Sequence, residues 1–382
     1  MKRILILGGG FAGLKTAEEL SKKIGSEHEI TLVSPQRKFM FYPGLIRLAL
    51  GETEVDELDF DLDDKLRKLK VRFIEGEVIH LLPEMKRVKV AGKDINGEIC
   101  YDYLVIAMGR RLATEKIPGF FEHAHHFLSP KAALKFRKAV EDFQQGNIVL
   151  ALAPDGRLPV PICEAAFALS RRFEDSPQSP TKITVVFPTS IEEVFGGANV
   201  AGELKEAFES HSIEVIERLK VSEVTSTDII AFDGRSVPFD LLAMIPTFKG
   251  QARFEENGIT DSGHFIEVDE FLRVKGIPDA YAAGDITSFK GPKLAHIAIG
   301  QAVVVADNLA KELAGEEPDQ VYFHELSMII DEGGNESIYL HYGVWDKTLY
   351  RLKKGKSWSY VKKIHDKFWQ TWHKRTWREN SA

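Results

Sequence analysis

Glycines 8, 10 and 13 follow a short apolar run at residues 4–7 and open a helical pattern over residues 14–23. In a strand–turn–helix unit each has a physical task. Gly8 permits the tight turn, Gly10 lets backbone approach a pyrophosphate, and Gly13 lets the helix pack closely on the sheet. Phosphate then meets the free N–H groups and the positive end of the helix dipole. The spacing and its context point to a dinucleotide site rather than a merely structural glycine turn. Two later stretches carry related chemistry. Residues 101–109, YDYLVIAMG, read as an apolar strand ending on Gly109, suited to the buried middle of a parallel sheet. Residues 280–285 read as a short strand ending on Gly284 and Asp285, where a glycine admits a ligand and a carboxylate accepts hydrogen bonds from a polyol.

The remaining elements position these stretches. The strand at 29–33 ends on Ser34, where dinucleotide folds usually carry an acidic residue for the ribose hydroxyls; a serine binds more weakly. The loop 39–44, with Pro43, reads equally as packed loop or as a wall beside a flat ring. A helix over 61–69 is followed by strands at 71–79, which includes Val78, at 87–90 and at 99–106. A helix over 130–143 leads to a second strand–helix pair, 147–152 and 162–173. The turn between them, APDGRLPVP, has one glycine and three prolines. Prolines remove N–H donors and fix φ, so this turn is poorly made for a second pyrophosphate. No basic cluster follows the next strand, 182–187, to hold an NADP 2′-phosphate. A helix at 201–210, strands near Glu214, Val224 and Ile229, a strand at 241–245 and a long helix at 292–313 complete the pattern. The N-terminus of that long helix is placed to stabilise an anion on a ring's polar edge.

The 382 residues suffice for two or three domains with ample core, and 44% apolar with 28% charged residues is ordinary for a soluble globular chain. The first strand begins at Arg3, so no signal peptide is expected, and no apolar run reaches the length of a membrane span. Cys100 and Cys163 are too few for a disulfide framework and fit a reducing compartment. The net charge of −7 is unevenly placed. Residues 351–382 hold ten Lys/Arg against two Asp/Glu, a local +8, and four of the five tryptophans. Within them Val361, Ile364, Phe368 and Trp372 fall on one helical stripe, with lysines largely around it. A basic amphipathic helix with tryptophans suits a membrane interface. A helix docked on the body or on a second subunit is the alternative, and the acidic remainder disfavours nucleic acid.

Together, residues 8–13, 101–109 and 280–285 resemble the two-dinucleotide-domain flavoproteins. The resemblance extends to the sulfide:quinone oxidoreductase branch, close to the type II NADH dehydrogenases. It rests on MIPTFKG at 244–250, on Pro292 and Lys293 after Gly284-Asp285, and on PICE at 161–164. It implies an α/β fold with two Rossmann-like domains, the FAD domain split by an inserted second one, plus a C-terminal amphipathic helical tail. The expected division is 1–125 and 249–320 for the FAD domain, 126–248 for the second domain, and 321–382 for a membrane-association and quinone-side region.

The implied FAD contacts run from Gly8, Gly10, Phe11, Ala12 and Gly13 through Ser34, Pro43 and Val78. They continue at Ala107 and Gly109, and end at Gly284, Asp285, Lys293 and Ala295. Glu164 would lie near the flavin and relay protons, or would cap a helix's first turn. His296 is a further relay candidate, or an ordinary packed or surface histidine. The resemblance also implies cysteines near Leu128–Ser129, Leu158 and Met328, and none is there. Cys163, directly before Glu164, is left as the one thiol candidate, at a helix N-terminus that would favour its thiolate. Cys100, at the far end of the 101–109 strand, lies too distant to pair with it. The expected enzyme is peripheral, on the cytoplasmic face of the cell membrane, and passes electrons from a small-molecule donor through FAD to a quinone. No metal is expected, and a homodimer is possible. The alternatives are a type II NADH dehydrogenase and a non-turnover electron-relay module.

Overall fold

The computed structural model describes residues 1–174, 181–333 and 336–372. One five-stranded parallel sheet is assembled from both ends of the sequence. Its order is Ala280–Ala282, Tyr103–Ile106, Arg3–Leu7, Glu29–Ser34, Arg72–Glu75. Ile4 to Leu7 pair with Tyr103 to Ile106 on one side and with Ile30 to Val33 on the other. These central strands are buried on both faces, which is why they read as continuous apolar runs rather than alternating ones. Inserted between Ile106 and Ala280 is a second parallel sheet, Ile213–Ile216, Thr181–Val186, Gly146–Leu152, Leu241–Ile245. The two crossings of chain between the sheets pair with each other as a short antiparallel ribbon, Arg111 with Lys249 and Leu112 with Phe248.

The expected helices are present with small shifts, which side-chain caps explain at two of them. Leu62–Lys68 starts where the Asp61 carboxylate accepts the Asp64 N–H at 3.0 Å. Pro130–Asp142 starts at Ser129, which caps the Ala132 N–H, with proline at the first helical position. Ala201–Ser210 has the expected bounds. Phe11–Ile24 buries Leu14, Ala17, Leu20 and Ile24 and packs along Ala295–Leu313. Pro161 lies inside Val160–Glu174, so the proline-rich turn is shorter than the sequence suggested.

The expected strand over 101–109 is a shorter one, Tyr103–Ile106. Cys100 closes a different strand, Asn96–Cys100, of an antiparallel meander with Glu77–Leu82 and Arg87–Ala91. Asp102 divides the two: its carboxylate accepts the Arg3 N–H at 2.7 Å and pairs with the Arg3 guanidinium at 3.1 Å. That neighbour holds the Asp102 pKa down at about 2.

Beyond the long helix, Glu325–Gly333, Glu336–Gly343 and Tyr350–Lys354 form an antiparallel sheet that packs on Val160–Glu174 and carries the tail helix Lys356–Gln370. His324, just before it, is buried with Nδ1 2.8 Å from the Tyr322 hydroxyl and Nε2 3.0 Å from the Lys290 carbonyl. Burial lowers its pKa to about 4. The unfolded chain, with histidine near 6.5, binds more protons than the folded one between pH 6.5 and 4, so stability falls as pH falls through that window. The expected loss is up to ~3 kcal/mol at ~1.4 kcal/mol per pH unit. Urea denaturation at pH 7 and 4.5 measures it, and His324→Gln should remove the His324 share, the rest coming from other groups such as His125, His126 and His211, whose pKa values burial also lowers.

Candidate functional site

The carboxyl ends of the parallel strands of the first sheet open onto a cavity of about 930 Å³, within the range of cofactor sites. Gly8 leaves the first strand at φ +108, and an added Cβ there would sit 2.3 Å from the Ala107 carbonyl oxygen. Gly13 would place a Cβ 1.8 Å from the Gly8 oxygen, so its task is helix-to-turn contact. Gly10, in extended backbone at the helix start, faces open space, with nothing within 4 Å of an added Cβ. No side chain caps that helix, so its first N–H groups remain for an anion.

Of the sequence candidates, Gly8, Gly10, Phe11, Ala12, Ser34, Pro43 and Val78 line this cavity. So do Ala107, Gly109, Gly284, Asp285, Lys293, Ala295, Glu164 and His296. Gly13 and Cys163 do not. Cys163 is fully buried, and burial pushes its thiol well above the ordinary range. The expected activated thiolate at the helix N-terminus is thereby corrected, since desolvation outweighs the dipole. Cys100 is exposed on the outer meander. Leu128, Leu158 and Met328, the positions where the resemblance implied cysteines, all line the cavity with apolar side chains.

Asp285 pairs with Arg110 at 3.0 Å, and the Arg110 guanidinium lies 4.1 Å over the Phe248 ring. Arg110 thus ties the ribbon between the two sheets to the cavity. Arg110 directly follows Gly109, the last residue of the 101–109 stretch, and no local pattern marks it. Lys293 is buried, its ammonium donating to the Thr287 carbonyl and lying 4.8 Å from the Phe265 ring centroid. Burial lowers its pKa to about 7, against the opposing pull of Asp285. His296 Nε2 accepts the Ser327 N–H at 3.0 Å and lies 3.4 Å from the Glu325 carbonyl oxygen.

Glu164 does not cap its helix's first turn; its carboxylate finds partners elsewhere in the chain. Its Oε1 accepts the Asp331 N–H at 3.0 Å and forms an ion pair with Lys362 of the tail helix. Burial raises the Glu164 pKa. Burial also works against the Lys362 ammonium, but the carboxylate beside it holds its pKa above the ordinary value. Sequence reasoning took Lys362 for a solvated cation on an amphipathic helix; nothing local marks it as the partner of a residue 198 positions earlier.

The tail helix meets the body at one end of its apolar stripe. Val361, Ile364 and Phe368 are exposed, but Trp372 is 3% exposed, inserted against Phe11 and Phe39 of the first sheet's domain. The tail helix is docked on the body, and Val361, Lys362 and Asp366 form part of the cavity wall.

The proline-rich turn is closed on itself. The Gly156 N–H goes to the Ala153 carbonyl, the Leu158 N–H to the Gly156 carbonyl, and the Thr247 hydroxyl to the Pro154 carbonyl. Arg157 donates to the Phe289 carbonyl and lies over Phe265, and its own carbonyl accepts the Lys293 N–H. The helix that follows aims Val160, Pro161 and Glu164 into the shared cavity.

Two nucleotide-type parallel sheets, one inserted into the other and sharing a cavity at an uncapped helix start, define a two-domain flavoprotein oxidoreductase fold. The chain belongs to the pyridine nucleotide-disulphide oxidoreductase family, whose profile matches residues 2–147 and 163–302. It is 25% identical over 354 residues to the mitochondrial sulfide:quinone oxidoreductase of Mus musculus, covering 88% of this chain and 76% of that one. It is 23% identical over 389 aligned positions to a type II NADH:quinone oxidoreductase of Staphylococcus aureus, covering 96% and 94%. The sulfide:quinone oxidoreductase structure from Aquifex aeolicus superposes with a TM-score of 0.88 at 21% identity, covering 96% of this chain and 90% of that one.

Proposed function

We propose that this chain is an FAD-dependent quinone oxidoreductase that works at a membrane surface and takes its electrons from a small-molecule donor without a protein thiol. The observation that carries this reading is the single cavity running from the glycine turn to the Glu164–Lys362 pair. In it, residues 1–125 and 249–320 make the cofactor domain, 126–248 the second domain, and 321–382 the quinone side. FAD would supply two-electron chemistry. The residues fit it: Gly10 leaves room for a pyrophosphate, the uncapped helix start supplies N–H donors, and Asp285, oriented by Arg110, accepts from a polyol chain. Lys293 places an ammonium of pKa near 7 in the cavity wall. His296 stands in the cavity wall with Nε2 on the Ser327 N–H, and Glu164 with Lys362 holds a proton between two charged groups at the tail side. Leu128, Leu158 and Met328 replace any thiol relay with apolar wall, so the donor must reach the cofactor directly.

Tail exposure supports membrane contact in the docked state. Ile364 is 70% exposed, beside Val361, Phe368, Lys363 and Lys367. Among the described residues no helix is long and apolar enough to cross a membrane. An Ile364→Asp/Phe368→Asp variant should lose binding to anionic vesicles in a sedimentation assay while keeping its flavin; undiminished sedimentation would remove the tail as the contact.

The test of the main reading is anaerobic stopped-flow on the yellow protein, with about one FAD per chain expected, followed by turnover with a short-chain quinone. NADH and NADPH are expected to reduce the flavin poorly, because in the turn before Val160 the N–H groups of Ala153, Gly156 and Leu158 already donate to protein carbonyls and Pro154 and Pro159 have none to offer. The double variant Cys100→Ser/Cys163→Ser should keep its rate within about twofold for any donor that works. Fast bleaching by micromolar NADH would instead favour the NADH dehydrogenase reading. A protein that no donor bleaches would favour an electron-relay module.

A further inference from the structure

The first helix of the chain carries a socket that sequence periodicity does not announce. The Trp372 indole lies 6.3 Å from the Phe11 ring, nearly parallel at 18°, and meets Phe39 edge-on at 5.5 Å. Phe39 in turn stacks on Phe60 at 4.7 Å. The Trp372 Nε1–H donates to the Glu18 carboxylate at 3.1 Å. Lys65, 1% exposed, donates to the Trp372 carbonyl at 3.2 Å and lies 3.6 Å from the same carboxylate. A buried Lys–Glu pair is costly unless its remaining hydrogen bonds are met, and here the tail meets one on each partner. An indole matches such a socket because it combines a large aromatic face with one N–H donor.

Phe11 is also the first residue of the helix whose N-terminus faces the cavity, and it lines that cavity on its own account. One turn-forming residue therefore touches both the tail and the anion-binding end of the helix. At its other contact the same tail closes the cavity through Lys362 on Glu164. We propose that Trp372 is a positioning residue that couples tail docking to cofactor retention. The indole holds Phe11, and through it the glycine turn, in the geometry that binds the pyrophosphate. Tail and cofactor thereby stabilise each other. The inference rests on the FAD reading above for its ligand, but not for the socket itself.

Coupling between two sites is reciprocal, which gives two independent readouts. In the full-length chain, Trp372→Ala should raise the FAD dissociation constant about tenfold, measured by flavin fluorescence on apoprotein reloaded with cofactor. That factor corresponds to ~1.4 kcal/mol. The same variant should be cut by trypsin after Lys362, Lys363 or Lys367 about tenfold faster than the wild type. Trp372→Phe, which keeps the ring contacts and loses only the N–H, should recover most of the affinity. Ile364→Ala, on the exposed side of the helix, should change neither. In the wild type, saturating FAD should slow tail cleavage of the apoprotein by a similar factor.

A Trp372→Ala chain with a loosened tail and unchanged FAD affinity would overturn the coupling and leave only an anchor. Weakened affinity with an unchanged cleavage rate would overturn it too, since the tail would then not be the mediator. If apoprotein takes up no FAD at all, the cofactor reading fails, while the cleavage assay still reports on the socket.

Discussion

Gly10→Val should yield a folded protein without flavin. The substituted position has extended backbone, which valine adopts readily, and nothing stands within 4 Å of the added Cβ. The new side chain projects into the cavity where the helix N-terminus presents its free N–H groups. Losing two charge-assisted hydrogen bonds to a pyrophosphate, at ~1.5–3 kcal/mol each, lowers affinity by at least ~10²-fold. Gly13→Ala is the contrasting case. Its Cβ would meet the Gly8 oxygen at 1.8 Å, so the helix must move off the turn and stability falls along with flavin binding. Flavin content after gel filtration, read with the melting curve of each variant, separates the two. A Gly10→Val protein that retains stoichiometric FAD would falsify the site assignment.

Removing the Glu164 carboxylate is the second large effect. Glu164→Ala leaves the Lys362 ammonium, about a fifth exposed, with the longer-range charges of Asp366 and Asp331 among the described residues. It also strips the Asp331 N–H of its acceptor. Breaking a buried pair in this way costs ~3–5 kcal/mol, and partial exposure of Lys362 places the loss toward the low end. Glu164→Gln keeps an acceptor for the Asp331 N–H and should lose less. Replacing both partners, as Glu164→Leu/Lys362→Met, should recover much of the stability, because no charge is then left unmatched. Urea denaturation of the three variants measures this. A Glu164→Ala protein within ~0.5 kcal/mol of the wild type, the range of an ordinary surface substitution, would show that the pair contributes little.

The tail docking also changes how truncation is to be read. From the sequence, the stretch after residue 351 looks like an anchor added to a finished body. In the structure it supplies the partner of Glu164 and the plug of the Glu18–Lys65 socket. Deleting it would expose buried charge, so point substitutions at Ile364 and Phe368 are the cleaner test of membrane contact.

The sequence by itself determined the features that a few neighbouring residues encode. The glycine turn, the apolar strands of the two parallel sheets and the glycine-poor second turn are all of this kind. Backbone sterics, capping and strand periodicity act over less than about two helical turns, so they are legible without knowing what packs against them. The tertiary structure alone decided Arg110 on Asp285, Lys362 on Glu164 and Trp372 on Glu18, contacts spanning 175, 198 and 354 positions. It also decided the fate of Cys163, whose place at a helix start favours a thiolate and whose complete burial forbids one. A helical stripe of Val361, Ile364, Phe368 and Trp372 states that one face is apolar. Whether a bilayer or the protein's own aromatic rings covers that face depends on the docking of the helix, and the answer differs between Ile364, 70% exposed, and Trp372, 3% exposed. Periodicity records the preference of a side chain to leave water, and hydrophobic burial is non-directional, so the partner it finds is set by the fold.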